Sequence, residues 1–75
     1  MDSKHQEELK RLYSQLEQVK QRDRILEEIE KRLYKMKQIA QYTADHNLDK
    51  DETMQLEMQI RDHQKAISSL ENYLI

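Results

Sequence analysis

The aliphatic residues of this chain recur rather than cluster. Leu9, Leu12, Leu16 and Val19 step by three and four, and after a gap the rhythm resumes at Leu26, Ile29, Leu33, Met36 and Ala40. This spacing places apolar side chains on one face of a helix, and predicts a first helix over about residues 3–44. The gap falls at residues 21–24, all of them polar. Across it the heptad phase slips by one position, because Leu26 to Ile29 is a step of three where four is due. Such a slip overwinds a coiled coil locally, so the stripes before and after the gap are expected to face different partners. A second helix is predicted over about residues 50–74. There Thr53, Leu56, Ile60, His63, Ile67, Leu70 and Leu74 alternate steps of three and four without a miss, a heptad seam.

The stretch between the two patterns, DHNLDKDE at residues 45–52, has acidic or amide side chains at Asp45, Asn47, Asp49 and Asp51. A calcium loop opens in the same way, but it needs glycine at its sixth position and a bidentate glutamate at its twelfth. Lys50 and Leu56 stand at those positions, so the stretch reads as a turn at about residues 45–49. Asp49 and Glu52 have the spacing of an N-cap and its third helical residue. Asp51 adds negative charge to the first turn, where the helix dipole favours it. Asn47 is expected to take the left-handed conformation that ends a helix where glycine is missing.

A helix stop followed by a helix start makes an antiparallel helical hairpin. Folded about residue 47, the pattern sets Leu56 and Ile60 against Met36 and Leu33, Ile67 against Leu26, and Leu74 against Val19. The first helix then outruns the second by about 17 residues, roughly 25 Å at the helical rise. The fold class is therefore all-α: a coiled-coil-like two-helix hairpin, residues 1–75 as a single domain. The overhang carries Leu9, Leu12, Tyr13 and Leu16, and with Val19 these need a cover that the hairpin itself does not supply. Homodimerisation into a four-helix bundle with antiparallel overhangs is the expected solution, with a partner helix from another protein on the same stripe as the alternative. Met54 and Met58, one turn apart beside the main seam, are expected to widen the association surface. His63, on the seam, is the further candidate interface residue, as a polar side chain that sets register.

Composition narrows the chemistry. The 75 residues include no glycine, proline or cysteine, and 37% are charged. Without cysteine there is no disulfide or thiolate metal site, and without glycine there is no phosphate-cradling loop. Glu, Lys, Gln, Arg, Leu and Met favour helix. Four glutamates precede a base by four residues (Glu7 and Arg11, Glu27 and Lys31, Glu28 and Arg32, Glu57 and Arg61), which adds local support. No apolar run exceeds Tyr73, Leu74 and Ile75, so no membrane span or secretory signal is expected and the cytoplasm is the expected compartment. Residues 1–44 carry a net charge of +2 and residues 45–75 a net of −4, an asymmetry that favours docking of one helix on the other.

Candidate chemistry is sparse. His5, His46 and His63 form no metal-binding pair, and the serines lack a neighbouring base. Carboxylates on two solvated helices have no pocket to shift their pKa. No enzyme activity, cofactor or metal is expected. Lys31, Arg32, Lys35 and Lys37, with Tyr34, form the densest basic stretch and are the candidate nucleic-acid contacts. Glu27, Glu28 and Glu30 dilute them, and the chain is acidic overall, so nucleic-acid binding is the secondary reading.

Two resemblances attach to these residues. LDKDE (48–52), Leu56, Ile60, Asp62-His63 and Ile67 resemble the second half of the plasmid Rop proteins, which implies a dimeric helical hairpin. The positions matching that family's RNA contacts are about Ile29, Leu33 and Lys37, which lack its polar and aromatic set, so the resemblance does not imply RNA binding. Ile29-Glu30, Met36, Ala40, Leu48, Leu56 and Ile60 are spaced as in the small phosphatases that act on phosphorylated sporulation response regulators. That family's Ser-Gln-Glu-Leu-Asp signature is replaced by Glu57-Met58-Gln59-Ile60-Arg61, with Arg61 where the acid belongs, so a phosphorelay regulator without that activity is what this likeness implies. The expectation that emerges is a noncatalytic regulatory module, a homodimer that binds an unidentified partner protein through an exposed helical face.

Overall fold

The computed structural model describes residues 3–75 and is an antiparallel helical hairpin. Helix α1 spans Ser3–Asp45, 43 residues without a break. Helix α2 spans Lys50–Glu71 and tightens into a 3₁₀ turn, η1, at Asn72–Leu74. The described residues fill an envelope of 70 × 18 × 12 Å, a rod one helix wide at one end and two at the other. Of the four glutamate–base pairs expected to brace the helices, Glu28 and Arg32 close, at 3.4 Å, and Glu17 and Lys20 add a contact at 3.7 Å with i,i+3 spacing.

The start of α2 forms as its residues dictate. Asp49 is in the extended conformation of an N-cap, and its carboxylate accepts the backbone N–H of Glu52 at 2.8 Å. The Thr53 hydroxyl donates to the Asp49 carbonyl, also at 2.8 Å, which closes the first turn. Asp51 and Glu52 lie in that turn, at the positive end of the dipole. Replacing Asp49 with alanine is expected to lower stability by about 1 kcal/mol in a urea melt, and Asp49→Asn to keep most of it, because the amide oxygen still accepts the bond.

The end of α1 differs from expectation. Asn47 is not left-handed, since none of the described residues has a positive φ. The preceding residue ends the helix instead. The His46 backbone N–H donates to the Tyr42 carbonyl at 3.1 Å, and its ring Nδ1 lies 2.9 Å from the same oxygen. The imidazole also stacks on the Tyr42 ring, with centroids 4.0 Å apart and planes inclined by 20°. A side-chain donor on a terminal carbonyl relieves the need for a left-handed cap.

The α2 seam is as expected: Thr53, Leu56, Ile60, His63, Ile67, Leu70 and Leu74 are all half-buried. The α1 seam keeps Ile29 and Met36 from the expected stripe and turns away from Leu26, Leu33 and Ala40. Ile25, Ile29, Arg32, Met36 and Ile39 are the half-buried line, while Leu26 and Leu33 stay 42% and 52% exposed and Ala40 is exposed too. Ile25, Arg32 and Ile39 stand one residue before Leu26, Leu33 and Ala40, which turns the centre of the seam by roughly 60° around the helix. The choice between them is physical. Continuing the Leu26, Leu33, Ala40 line in steps of three and four brings in Glu30 and Lys37, which would place charges in the seam. The line that α2 covers interrupts its aliphatics only with Arg32, and Arg32 finds a partner in His63 across the seam. The expected opposition of Val19 and Leu74 also fails: Leu74 lies with Gln21, Arg22 and Ile25, and Val19 is left exposed.

No described residue is fully buried. Two helices in contact shield one face of each and cannot enclose a core. The hairpin ends beside Gln21 and Arg22, so residues 3–20 of α1 continue alone, an arm of roughly 27 Å.

Candidate interaction surface

The arm is a single helix with a continuous apolar stripe. Leu12, Leu16 and Val19 are 60%, 49% and 54% exposed, and Leu9 and Tyr13 complete the surface. On a helix about 100° separates successive residues, so steps of three and four keep Leu9, Leu12, Leu16 and Val19 within one face. The remaining faces of the arm are polar: Glu8, Arg11, Gln15, Gln18 and Arg22 follow the line that becomes the hairpin seam at Ile25. Apolar residues thus enter that line where α2 begins to cover it. The Leu9–Val19 stripe lies on another side of the helix, where α2 would not meet it even if it were longer.

The other residues singled out from the sequence are dispersed. Met54 and Met58 are exposed on the side of α2 turned away from α1, about half a turn from the seam, so they adjoin neither the arm stripe nor the hairpin contact. His63 lies inside the hairpin rather than on an outer face. Its Nδ1 is 3.3 Å from Nη1 of Arg32, whose Nε is 3.4 Å from a carboxylate oxygen of Glu28. Guanidinium only donates, so in this arrangement the imidazole accepts at Nδ1 and holds its proton on Nε2. The row Glu28, Arg32, His63 is a polar crosslink between the helices. It removes Arg32 from the basic group. Lys31 and Lys35 share a shallow surface with Tyr34, Glu27 and Glu30, and Lys37 points to a different side of α1, so the four bases do not share one face.

A cleft runs along one side of the hairpin, lined by Lys35, Ile39, Tyr42, Leu56, Gln59 and His63 among others. It is open to solvent along its length and mixes amide, cationic and apolar groups. Among the described residues no group of three or more His, Asp or Glu side chains is placed to hold a metal ion. No helix of the described residues is long and apolar enough to cross a membrane. The sequence reading missed the seam line of Ile25, Arg32 and Ile39 and the Tyr42–His46 stack. The first was signalled by the seven-residue spacing of those three residues beside Ile29 and Met36. The second was signalled only by an i,i+4 aromatic pair near a helix end.

Compared with models of protein families, with curated proteins and with solved structures, the chain matches none.

Proposed function

We propose that this protein is a noncatalytic regulatory module of the cytoplasm, a helical hairpin that works as a homodimer and binds a partner protein through an exposed helical face. The observation that carries this reading is the arm: a helix of about 18 residues with a leucine-rich stripe, extending past the end of α2 and turned away from the side of α1 that α2 covers. A helix in a protein takes most of its stability from packing of its apolar face, and an apolar stripe left wet gains from association. Once the arms are paired, the surfaces left for a partner are the hairpin's outer faces, including Met54 and Met58, whose flexible thioethers adapt to a second surface.

The test is the mass in dilute solution. The chain is 9.2 kDa, and sedimentation equilibrium is expected to return twice that value at micromolar concentration, with helicity that rises as the dimer fills. A monomer whose arm is fully helical at those concentrations would overturn the reading.

A further inference from the structure

We infer that the arms pair antiparallel in a single register, with Leu9 facing Val19 of the second copy, Leu12 facing its Leu16, and Glu8 bridged to its Arg22, so that two hairpins are joined end to end through a two-helix neck. This inference rests on the homodimer reading and specifies how the second copy sits.

The extent of the stripe decides where the copies meet. Leu9, Leu12, Leu16 and Val19 fill four successive seam positions with aliphatics. The same rhythm continued along α1 gives Asp23, Leu26, Glu30, Leu33, Lys37 and Ala40, with every other position charged. A side-by-side dimer along the whole of α1 would place Asp23, Glu30 and Lys37 against aliphatic residues of the other copy, twice each by symmetry, and burying an unpaired charge is strongly unfavourable. Only the arm offers a seam filled from both sides.

Direction follows from charge. In antiparallel coiled coils the two kinds of seam position face each other, and like flanking positions meet across the interface. With Leu12 against Leu16 and Leu9 against Val19, the four inner seam layers are aliphatic on both sides, and the layer beyond them at each end sets His5 against Asp23. The flanking residues are then Glu8 against Arg22, formed twice, with Gln15 against Gln15 and Lys20 against Gln6. No like charges meet. Within its own chain neither Glu8 nor Arg22 forms an ion pair among the described residues, whose two pairs are Glu17 with Lys20 and Glu28 with Arg32. A parallel, in-register pair would instead set Asp23 against Asp23 next to the last apolar layer, and bring both two-helix bodies to the same end.

Length gives independent support. In the antiparallel register Ser3 of one copy lies level with residue 25 of the other. That is where the second copy's α2 ends, beside Arg22 and Ile25. The described part of the arm is therefore matched along its length, and Ser3 comes level with the partner's hairpin body, near the exposed Tyr73 and Ile75.

The experiment is a charge-reversal mix with the full chain. Glu8→Arg turns both bridges into Arg–Arg contacts, and Arg22→Glu turns both into Glu–Glu contacts. Each variant alone is expected to dimerise about tenfold more weakly, since exposed pairs contribute roughly 0.2–1 kcal/mol each and two change sign at once. Mixed in equal amounts, the two variants regain both bridges in the heterodimer, and the mass by sedimentation is expected to return to the dimer value. Small-angle scattering of the wild-type dimer gives a second readout. Two 70 Å rods overlapping over residues 3–25, about 23 residues, make a particle roughly 105 Å long, whereas a side-by-side bundle stays near 70 Å. A 70 Å dimer, or variants that dimerise normally alone and gain nothing on mixing, overturns the register and leaves the homodimer standing. A monomeric wild-type chain overturns both.

Discussion

Aspartate at both Leu12 and Leu16 is expected to leave the protein monomeric, halving its mass in light scattering at concentrations where the wild type is a dimer. The size of the effect follows from burial. A leucine taken from water into an apolar contact contributes roughly 1.5–3 kcal/mol. Two substitutions in a symmetric dimer remove four leucines, so roughly 6–12 kcal/mol of association is lost before the new charges are considered. A micromolar dimer is held by about 8 kcal/mol, so the loss reaches or exceeds the whole. In the register proposed above, the carboxylate introduced by Leu12→Asp would also face the one introduced by Leu16→Asp in the other copy. The hairpin body should survive, because its seam begins at Ile25 and neither leucine touches α2. The expected dichroism is a partial loss: the arm, deprived of the packing that supplies most of a helix's stability, frays, while the two-helix part remains. Lys10→Gln, on the opposite side of the arm, should leave mass and helicity unchanged. An unchanged mass for the leucine variant would remove the arm from the account of assembly.

The arm was legible from the sequence because nothing competes for it: one apolar stripe lies on one otherwise polar helix segment. The α2 seam was legible for the same reason, since Thr53 to Leu74 holds a single phase throughout. The turn was half legible. Asp49 caps α2 through a local bond to Glu52 that spacing alone specifies, whereas the end of α1 depends on a ring stack and a side-chain bond by His46, which compete with the left-handed alternative at Asn47 by small energies. The α1 half of the hairpin was misread for a different reason. Residues 25–40 carry two adjacent lines, Ile25, Ile29, Arg32, Met36 and Ile39 beside Leu26, Leu33 and Ala40. Periodicity alone ran Leu26, Ile29, Leu33, Met36 and Ala40 together in steps of three and four, and so took Leu26 and Leu33 where α2 covers Ile25 and Arg32. What decided against Leu26 and Leu33 was pairing: Glu30 and Lys37 flank that line with charge, while Arg32 is matched by His63 on the facing helix. An arginine inside a seam looks like an interruption until the residue opposite is known. The bases at residues 31–37 are dispersed because proximity in sequence spreads side chains around a helix rather than along one face of it.

That misreading supplies the sharpest remaining contrast. Aspartate at Ile29 and Met36 is expected to open the hairpin, while aspartate at Leu26 and Leu33 should leave it folded, although each pair lies seven residues apart on the same stretch of α1. Ile29 and Met36 are half-buried against α2. Removing them takes away apolar contact and places carboxylates in the seam, a combined loss of roughly 3 kcal/mol or more. A two-helix body with no fully buried residue has little stability to spare, and α2, about two dozen residues with its 3₁₀ turn, is not expected to hold its helix once released. Leu26 and Leu33 face water, where substitutions usually change stability by less than about 0.5 kcal/mol. Thermal melts followed by dichroism separate the two variants. The second variant also bears on assembly: with the copies joined through their arms, Leu26→Asp with Leu33→Asp should dimerise normally, but a bundle packed along the whole of α1 would lose two leucines per copy and dissociate. A folded, dimeric double variant is therefore the result that places the hairpin seam and the dimer contact on two different sides of one helix; a folded but monomeric one would move the second copy from the arms onto the hairpin body.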